Sequence, residues 1–154
     1  MKLSNKGRYG VSALFDIAFH NDGLATQTKD IAERQGIPAR FLEQIFQDLK
    51  RAGLVTSKRG PKGGYQLARP TDAIRLGDVI RALEGPVQLG PPPDDVKATR
   101  GAESTGRQVT DAAFAELSEQ IEACFDGKTL ADLCAQGEAL GLRRQPPRRY
   151  VYAI

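Results

Sequence analysis

From Pro38 onward apolar residues recur at threes and fours: Phe41, Leu42, Ile45, Phe46 and Leu49 fall on one face of a helix. Arg40, Glu43, Gln44, Gln47 and Arg51 fall on the other. Pro38 suits a first-turn position. Just upstream, residues 27–36 read as a shorter helix: the Thr28 hydroxyl can cap its start, Ala32 is small enough for a close helix crossing, and Gly36 supplies the tight turn that the crossing requires. The two make a helix-turn-helix. Downstream, Leu54–Leu67 places short apolar strands around Lys58-Arg-Gly-Pro-Lys-Gly-Gly64, a glycine-rich β-hairpin.

The same periodicity orders the rest of the chain. A first helix is expected over Ser4–Phe19, with Tyr9, Ala13, Phe15, Ile17 and Ala18 supplying apolar surface. After the hairpin, Ile74, Leu76, Val79, Ile80 and Leu83 mark a short helix packed back on it, stopped by Gly85-Pro86. Residues 86–109 carry three consecutive prolines at 91–93 and few apolar positions, which predicts a flexible linker loop. From Thr110, read as an N-cap, the residues Phe114, Leu117, Ile121, Cys124 and Phe125 form one stripe, opposite an acidic face of Glu116, Glu119, Gln120 and Glu122. Asp126-Gly127 ends this helix, Thr129 caps a last short one to about Glu138, and Arg143, Arg144, Arg148 and Arg149 make a basic tail.

The predicted architecture is mainly α with a small β-hairpin wing. A winged helix-turn-helix domain covers 1–85, the linker 86–109, a dimerisation helix with a short C-terminal helix 110–140, and the tail 141–154. A lone amphipathic helix must cover its stripe. Antiparallel pairing with the same helix of a second copy is the simplest way, which puts Phe114, Leu117, Ile121, Cys124 and Phe125 at a homodimer interface.

Charge sharpens this picture. The net charge of +3 over 154 residues is unremarkable, but residues 1–75 hold 13 Lys/Arg against 7 Asp/Glu and residues 76–154 hold 9 against 12. The basic half coincides with the helix-turn-helix, as a footprint for a polyanion requires. On the polar face of the second helix, Arg can pair two acceptors on guanine, Gln can pair the adenine edge and Glu can accept from the cytosine amino group. Such residues also populate any solvated helix face, so the hairpin decides between the readings. Gly60, Gly63 and Gly64 allow close backbone approach, while Lys58, Arg59 and Lys62 make the tip cationic, as in a wing that tracks DNA. The glycines do not spell a nucleotide-binding loop, because no G-x-x-x-x-G-K-[ST] spacing is present and the segment opens no helix. Lys2, Lys6 and Arg8 cluster at the start of the first helix, where cations oppose the macrodipole and a docked phosphate would relieve them.

Other chemistries lack their parts. His20 is the single histidine, near the end of the first helix, and reads as a capping or surface residue; no catalytic set can be assembled around it, so no enzyme is expected. Cys124 and Cys134 have no paired spacing and no targeting peptide is recognised, which fits a reducing cytoplasm. The apolar run Val11–Phe19 is interrupted by Asp16 and is helical in period, and no stretch nears the ~18 apolar residues of a membrane span.

Five segments carry a family resemblance: Lys2-Leu-Ser-Asn-Lys-Gly-Arg-Tyr-Gly-Val11, Ala32-Glu-Arg-Gln-Gly-Ile37, Phe41-Leu-Glu-Gln-Ile-Phe46, Leu49-Lys-Arg-Ala-Gly-Leu-Val55 and Arg59-Gly-Pro-Lys-Gly-Gly-Tyr-Gln-Leu67. Together they closely resemble the bacterial winged-helix regulators that include the iron–sulfur regulator IscR, the nitric-oxide sensor NsrR and the cysteine-metabolism regulator CymR. The likeness is strong over residues 1–85 and weak over 111–140. It implies a homodimeric regulator of transcription, most often a repressor, with the Glu and Gln of the second helix at the DNA. With the residue chemistry above, the set assigned to double-stranded DNA is Lys6, Arg8, Thr28, Arg40, Phe41, Glu43, Gln44, Gln47, Arg59, Gly60, Lys62, Gly63 and Gly64. Cluster-binding relatives carry three cysteines in the loop between the winged domain and the long helix. Here residues 85–109 contain neither Cys nor His, so no cofactor is expected and the signal is assigned to a protein or small-molecule effector, or to thiol oxidation. The competing reading is a winged-helix module that docks a partner protein.

Overall fold

The computed structural model describes residues 1–92 and 104–146. Six α-helices and one two-stranded hairpin follow in the order α1 (Asn5–Asn21), α2 (Thr28–Gln35), α3 (Ala39–Arg51), β1 (Val55–Lys58), β2 (Gly64–Leu67), α4 (Leu76–Glu84), α5 (Ser104–Asp126) and α6 (Leu130–Ala139). A single 3₁₀ turn, Thr71–Ala73, precedes α4. The strands are antiparallel, in register from Val55↔Leu67 to Lys58↔Gly64.

Helix α1 is the hub. Its Leu14 and Ile17 join Ile31 of α2, Leu42, Ile45, Phe46 and Leu49 of α3, Val79 of α4 and Leu130 of α6 in one core, every one of them fully buried. The interdigitation that such a core needs is helped by small residues on α1 itself. At Gly10 a Cβ would overlap the Leu83 side chain, and at Gly7 it would overlap the Glu84 carboxylate. Helix α6, at the far end of the chain, thus shares the core of the N-terminal 85 residues. Gly137 lies against the rings of Phe15 and Phe19, close enough that a Cβ would crowd them.

One charge is sealed into this core. Asp16 is fully buried and accepts from Arg34 Nε at 3.0 Å, Arg34 Nη2 at 2.7 Å and Gln35 Nε2 at 3.0 Å. The bidentate fork ties α1 to the last turn of α2, and the third hydrogen bond uses lone-pair capacity that burial would otherwise leave unmet. In the sequence Asp16 only interrupts an apolar run, because its partners lie 18 and 19 residues away.

Several local expectations are corrected. Gln27, not Thr28, is the N-cap of α2, and no side chain caps that end. Phe41 is not among the buried residues of α3; it is 39% exposed and meets the Tyr9 ring edge-on at 5.6 Å. Helix α5 begins at Ser104, six residues before Thr110, whose hydroxyl donates within the helix to Arg107 O at 2.9 Å rather than capping it. The mostly polar run Ser104–Val109 lacks proline, and its one weak breaker, Gly106, lies in the first turn, where the helix tolerates it. Of the expected linker, residues 86–92 lie against α5, where Val87 N–H donates to Glu122 Oε1 at 2.8 Å and Leu89 N–H to Ser118 Oγ at 3.0 Å; residues 93–103 fall outside the described residues. His20 is buried, not on the surface. Its Nδ1 accepts from Gln145 N at 2.9 Å, and burial holds its pKa below the ordinary 6.5, which favours the accepting neutral ring. Next to it Arg144 pairs with Asp22 and Glu138, each at 2.6 Å, so this arginine of the basic tail is engaged; Arg148 and Arg149 fall outside the described residues.

Replacing one partner of the buried pair tests its weight. Arg34→Ala strands the Asp16 carboxylate in the core and is expected to lower stability by about 3 kcal/mol or more, while Arg34→Lys, which cannot form the fork, recovers only part of the loss. Urea unfolding of the three proteins measures both; an Arg34→Ala midpoint equal to that of the parent would contradict this account of Asp16.

Candidate nucleic-acid interface

Helix α3 separates its two faces cleanly. Leu42, Ile45, Phe46 and Leu49 are wholly buried, and Arg40, Glu43, Gln44 and Gln47 are all exposed. Burial of four large side chains at helical spacing leaves the polar row no choice of direction: it faces solvent on the side away from α1. Helix α2 precedes it across Gly36, whose φ of +63° is the left-handed conformation that the tight turn needs. Thr28 opens α2 half-buried, and Lys29 beside it is exposed.

The wing is fastened to this unit at its base, its face and its tip. At the base, Thr26 and Tyr65 exchange backbone hydrogen bonds of 2.9 and 3.0 Å, so the segment before α2 adds an isolated bridge to the hairpin. This approach is possible because residue 64 is glycine. A Cβ there would overlap the Thr26 carbonyl, and its φ of +132° is one that side chains rarely adopt. On the face, the Tyr65 ring stacks on Phe46 of α3 with centroids 4.4 Å apart and planes 6° from parallel. At the tip, Gln27 Nε2 donates to Pro61 O at 3.0 Å. Gly63 is buried in the turn, where a Cβ would meet the Lys58 and Gly60 carbonyls. Gly63 and Gly64 therefore shape and seat the wing, while Arg59, Gly60 and Lys62 are its exposed part. Among the described residues Lys29, Arg40, Lys58, Arg59 and Lys62 form no ion pair, so their charges are open to an external anion.

The start of α1 is arranged differently from the expected phosphate seat. Ser4 is the N-cap, its Oγ accepting from Gly7 N at 3.2 Å, and Glu84 from the end of α4 takes both the Ser4 N–H, at 2.8 Å, and the Ser4 hydroxyl. A carboxylate of the chain itself occupies the anion position. Lys6 is paired with Asp48 of α3, and the hydrogen bond from its ammonium holds the Asp48 carboxyl below the usual carboxylate range. Arg8 hydrogen-bonds Asn5 and is otherwise exposed. Gln27, Tyr65 and Phe46, which hold the interface in shape, were absent from the sequence-derived site. Their sequence signals are ordinary, since an aromatic in a strand and an apolar residue in a helix reveal a stack only once both elements are placed.

The chain matches the Rrf2 family model, described as an iron-dependent transcriptional regulator, over residues 3–136. It belongs to the Rrf2 family. It is 39% identical over 140 residues to the HTH-type transcriptional regulator IscR of Erwinia tasmaniensis, covering 91% of this chain and 82% of that one. In structure it resembles IscR of T. potens, with a TM-score of 0.73, 38% identity and 99% and 97% of the two chains covered. It also resembles CymR, the global cysteine regulator of B. subtilis, with a TM-score of 0.68, 34% identity and 88% and 98% covered. Members of this family are DNA-binding transcriptional regulators, not enzymes, and the chain is one of them. Among the described residues no helix is long and apolar enough to cross a membrane.

The seating of the wing is open to a single substitution. Gly64→Ala forces a Cβ onto the Thr26 carbonyl from a strained φ, and is expected to cost about 1–3 kcal/mol while displacing the wing. Urea unfolding reads the first effect. A shallower dependence of DNA affinity on salt, as cationic contacts of the tip are lost, reads the second. Unchanged stability and salt dependence would refute this role for Gly64.

Proposed function

We propose that this Rrf2 regulator acts as a homodimeric, sequence-specific repressor that carries no iron–sulfur cluster. Each copy presents α3 to a major groove, with Arg40, Glu43, Gln44 and Gln47 as base readers, and lays Arg59 and Lys62 of the wing against the flanking backbone or minor groove. The observation that carries this reading is the exposed polar row of α3 held beside an unpaired cationic tip by the Thr26–Tyr65 bridge and the Phe46–Tyr65 stack. Thr28 at the start of α2 and Arg8 are near-backbone contacts in the same scheme; Lys6 serves α3 through Asp48.

Dimerisation is supported by α5. Phe114 and Leu117 are each 45% exposed, Val109 is 68% exposed and Cys124 is exposed, with Ile121 and Phe125 half-buried along the same stripe. A 23-residue helix that leaves such a row in water has reason to pair with its symmetry mate.

The donor chemistry does not fit a cysteine-ligated cluster. The sequence has two cysteines and one histidine, and His20 spends its Nδ1 on Gln145. Among the described residues no three His, Cys, Asp or Glu side chains are grouped to hold a metal ion. The signal is therefore sought in a protein or small-molecule effector, or in thiol oxidation.

Selection of bound fragments from genomic DNA tests the DNA reading. Glu43→Ala is expected to relax discrimination at one base position of the selected motif, by about 1–3 kcal/mol, while non-specific binding persists; a motif unchanged at every position would remove this face of α3 from recognition. For the assembly, Leu117→Asp buries an unpaired charge in the proposed seam and is expected to give monomers by light scattering that fail on two-half-site DNA. The same preparations, made anaerobically, are expected to be colourless. Stoichiometric iron and sulfide in a brown protein would overturn the cluster-free reading.

A further inference from the structure

Among the described residues, helix α5 is held along its C-terminal half, from Asp126 back to Phe114, which lies against Gly90. Its last turns meet α4 through Arg81, whose Nη2 lies 2.7 Å from Asp126 Oδ1 and whose Nη1 lies 3.2 Å from Asp126 Oδ2, a two-pronged grip. Glu122 Oε2 stands 3.5 Å from the same guanidinium, and Asp78 of α4 steadies it at 3.2 Å. The Asp126 carboxylate occupies space that only a glycine leaves free, since a Cβ on Gly77 would overlap it. Just beyond the helix, Leu76 N–H donates to Lys128 O at 2.8 Å and Leu130 N–H to Ile74 O at 3.0 Å, stitching the two connections together. On the other flank of α4, the contacts of Val87 with Glu122 and of Leu89 with Ser118 grip the same turns. Toward the N-terminus, from Leu117 back to Gly106, every residue but Asp111 is exposed.

A helix fastened in this way is a lever. From Asp126 to Phe114 it extends for about 18 Å, so a tilt of about 10° at the α4 end moves the Phe114 stripe by about 3 Å. That is close to one base-pair rise, about 3.4 Å, and the two-fold axis of a dimer doubles it. Recognition of paired half-sites tolerates little such error, because each recognition helix must meet its groove at a set separation of about one helical turn.

We infer that Arg81, gripping Asp126 and Glu122 over the gap left by Gly77, is a positioning residue that fixes the angle between the winged domain and α5 and so the half-site spacing this regulator accepts. The inference rests on the homodimer of the preceding section. Arg81 touches no part of the DNA-facing row and reads no base; it decides where the second copy's row falls. Lysine cannot replace it, because a single ammonium cannot make the two-pronged contact.

The test uses the full chain and DNA duplexes carrying either one half-site or two half-sites at a series of separations stepped by single base pairs. Arg81→Ala, Arg81→Lys and Asp126→Asn are compared with the parent protein. All are expected to remain dimeric by light scattering and to bind a single half-site within about twofold of the parent, while affinity for the preferred separation falls about tenfold and the spacing profile flattens. Asp126→Asn preserves size and shape, so it keeps the test meaningful if Arg81→Ala folds poorly. A spacing profile as sharp as the parent's in the folded variants would overturn the inference. So would loss of single-half-site binding by a folded dimer, which would put Arg81 in the groove-facing surface, and so would unfolding of all three, which would make the clamp purely structural. A parent protein that is monomeric, or indifferent to the second half-site, would instead fail the homodimer reading itself.

Discussion

The burial of Asp16 is the constraint on which the DNA-facing half depends. A carboxylate at the centre of the hub helix is tolerable only because Arg34 and Gln35 reach it from the end of α2 with three hydrogen bonds. Apolar packing alone is non-directional and would permit α2 to slide or rotate on α1. A buried ion pair permits one geometry. Because α3 follows α2 after Gly36 and Ile37-Pro38 alone, fixing α2 also fixes where α3 starts, and the burial of Leu42, Ile45, Phe46 and Leu49 then sets its rotation.

The wing inherits its position from these same elements. Thr26 precedes α2 and pairs with Tyr65, Phe46 belongs to α3 and stacks on Tyr65, and Gln27 caps α2 while holding the wing tip through Pro61. The exposed row of α3 and the cationic wing are thereby locked to one another within the chain itself. Preorganisation of this kind removes the cost of ordering a glycine-rich loop at the moment of binding. The glycines of the wing accordingly divide their labour: Gly63 and Gly64 are forced by neighbouring carbonyls, whereas Gly60 has open space around it.

Amphipathic periodicity made α3, α4 and most of α5 legible in the sequence, the Thr129 cap made α6 legible, and the position of Gly36 made the turn legible, since each depends on residues close in the chain. Contacts between distant residues were not legible. The pairs Asp16–Arg34, Ser4–Glu84, His20–Gln145 and Arg81–Asp126 join positions 18, 80, 125 and 45 apart. In sequence Asp16 only interrupted an apolar run and His20 read as a capping or surface residue. The two misplacements on helices have local causes. Phe41 satisfies the spacing of the apolar face but sits at its edge, where Tyr9 covers one side only, and Ser104–Val109 is mostly polar yet contains nothing that forbids a helix. Lys6, read as a phosphate ligand at the start of the first helix, instead meets Asp48, and Glu84, far along the chain, takes the anion position at Ser4.

The distribution of fastening along α5 carries the last step. An isolated helix in water is marginal even when its sequence favours it, and most helical stability in proteins comes from packing of an apolar face. Among the described residues, helix α5 obtains that packing from its own chain over its C-terminal half, near Arg81 and the segment 86–92, where Gly90 reaches Phe114. Val109 is 68% exposed and Phe114 and Leu117 are each 45% exposed, with an acidic opposite face that offers no cover. The apolar surface this helix leaves uncovered runs from Val109 through Leu117 to Cys124, while the grip of Arg81 lies at its C-terminal end. Anything that shifts the segment 86–92 must act on Glu122 and Ser118, the side chains that hold its backbone, and so on the lever itself. The segment 86–92 therefore couples the end of α4 to the C-terminal half of α5 through two backbone-to-side-chain hydrogen bonds.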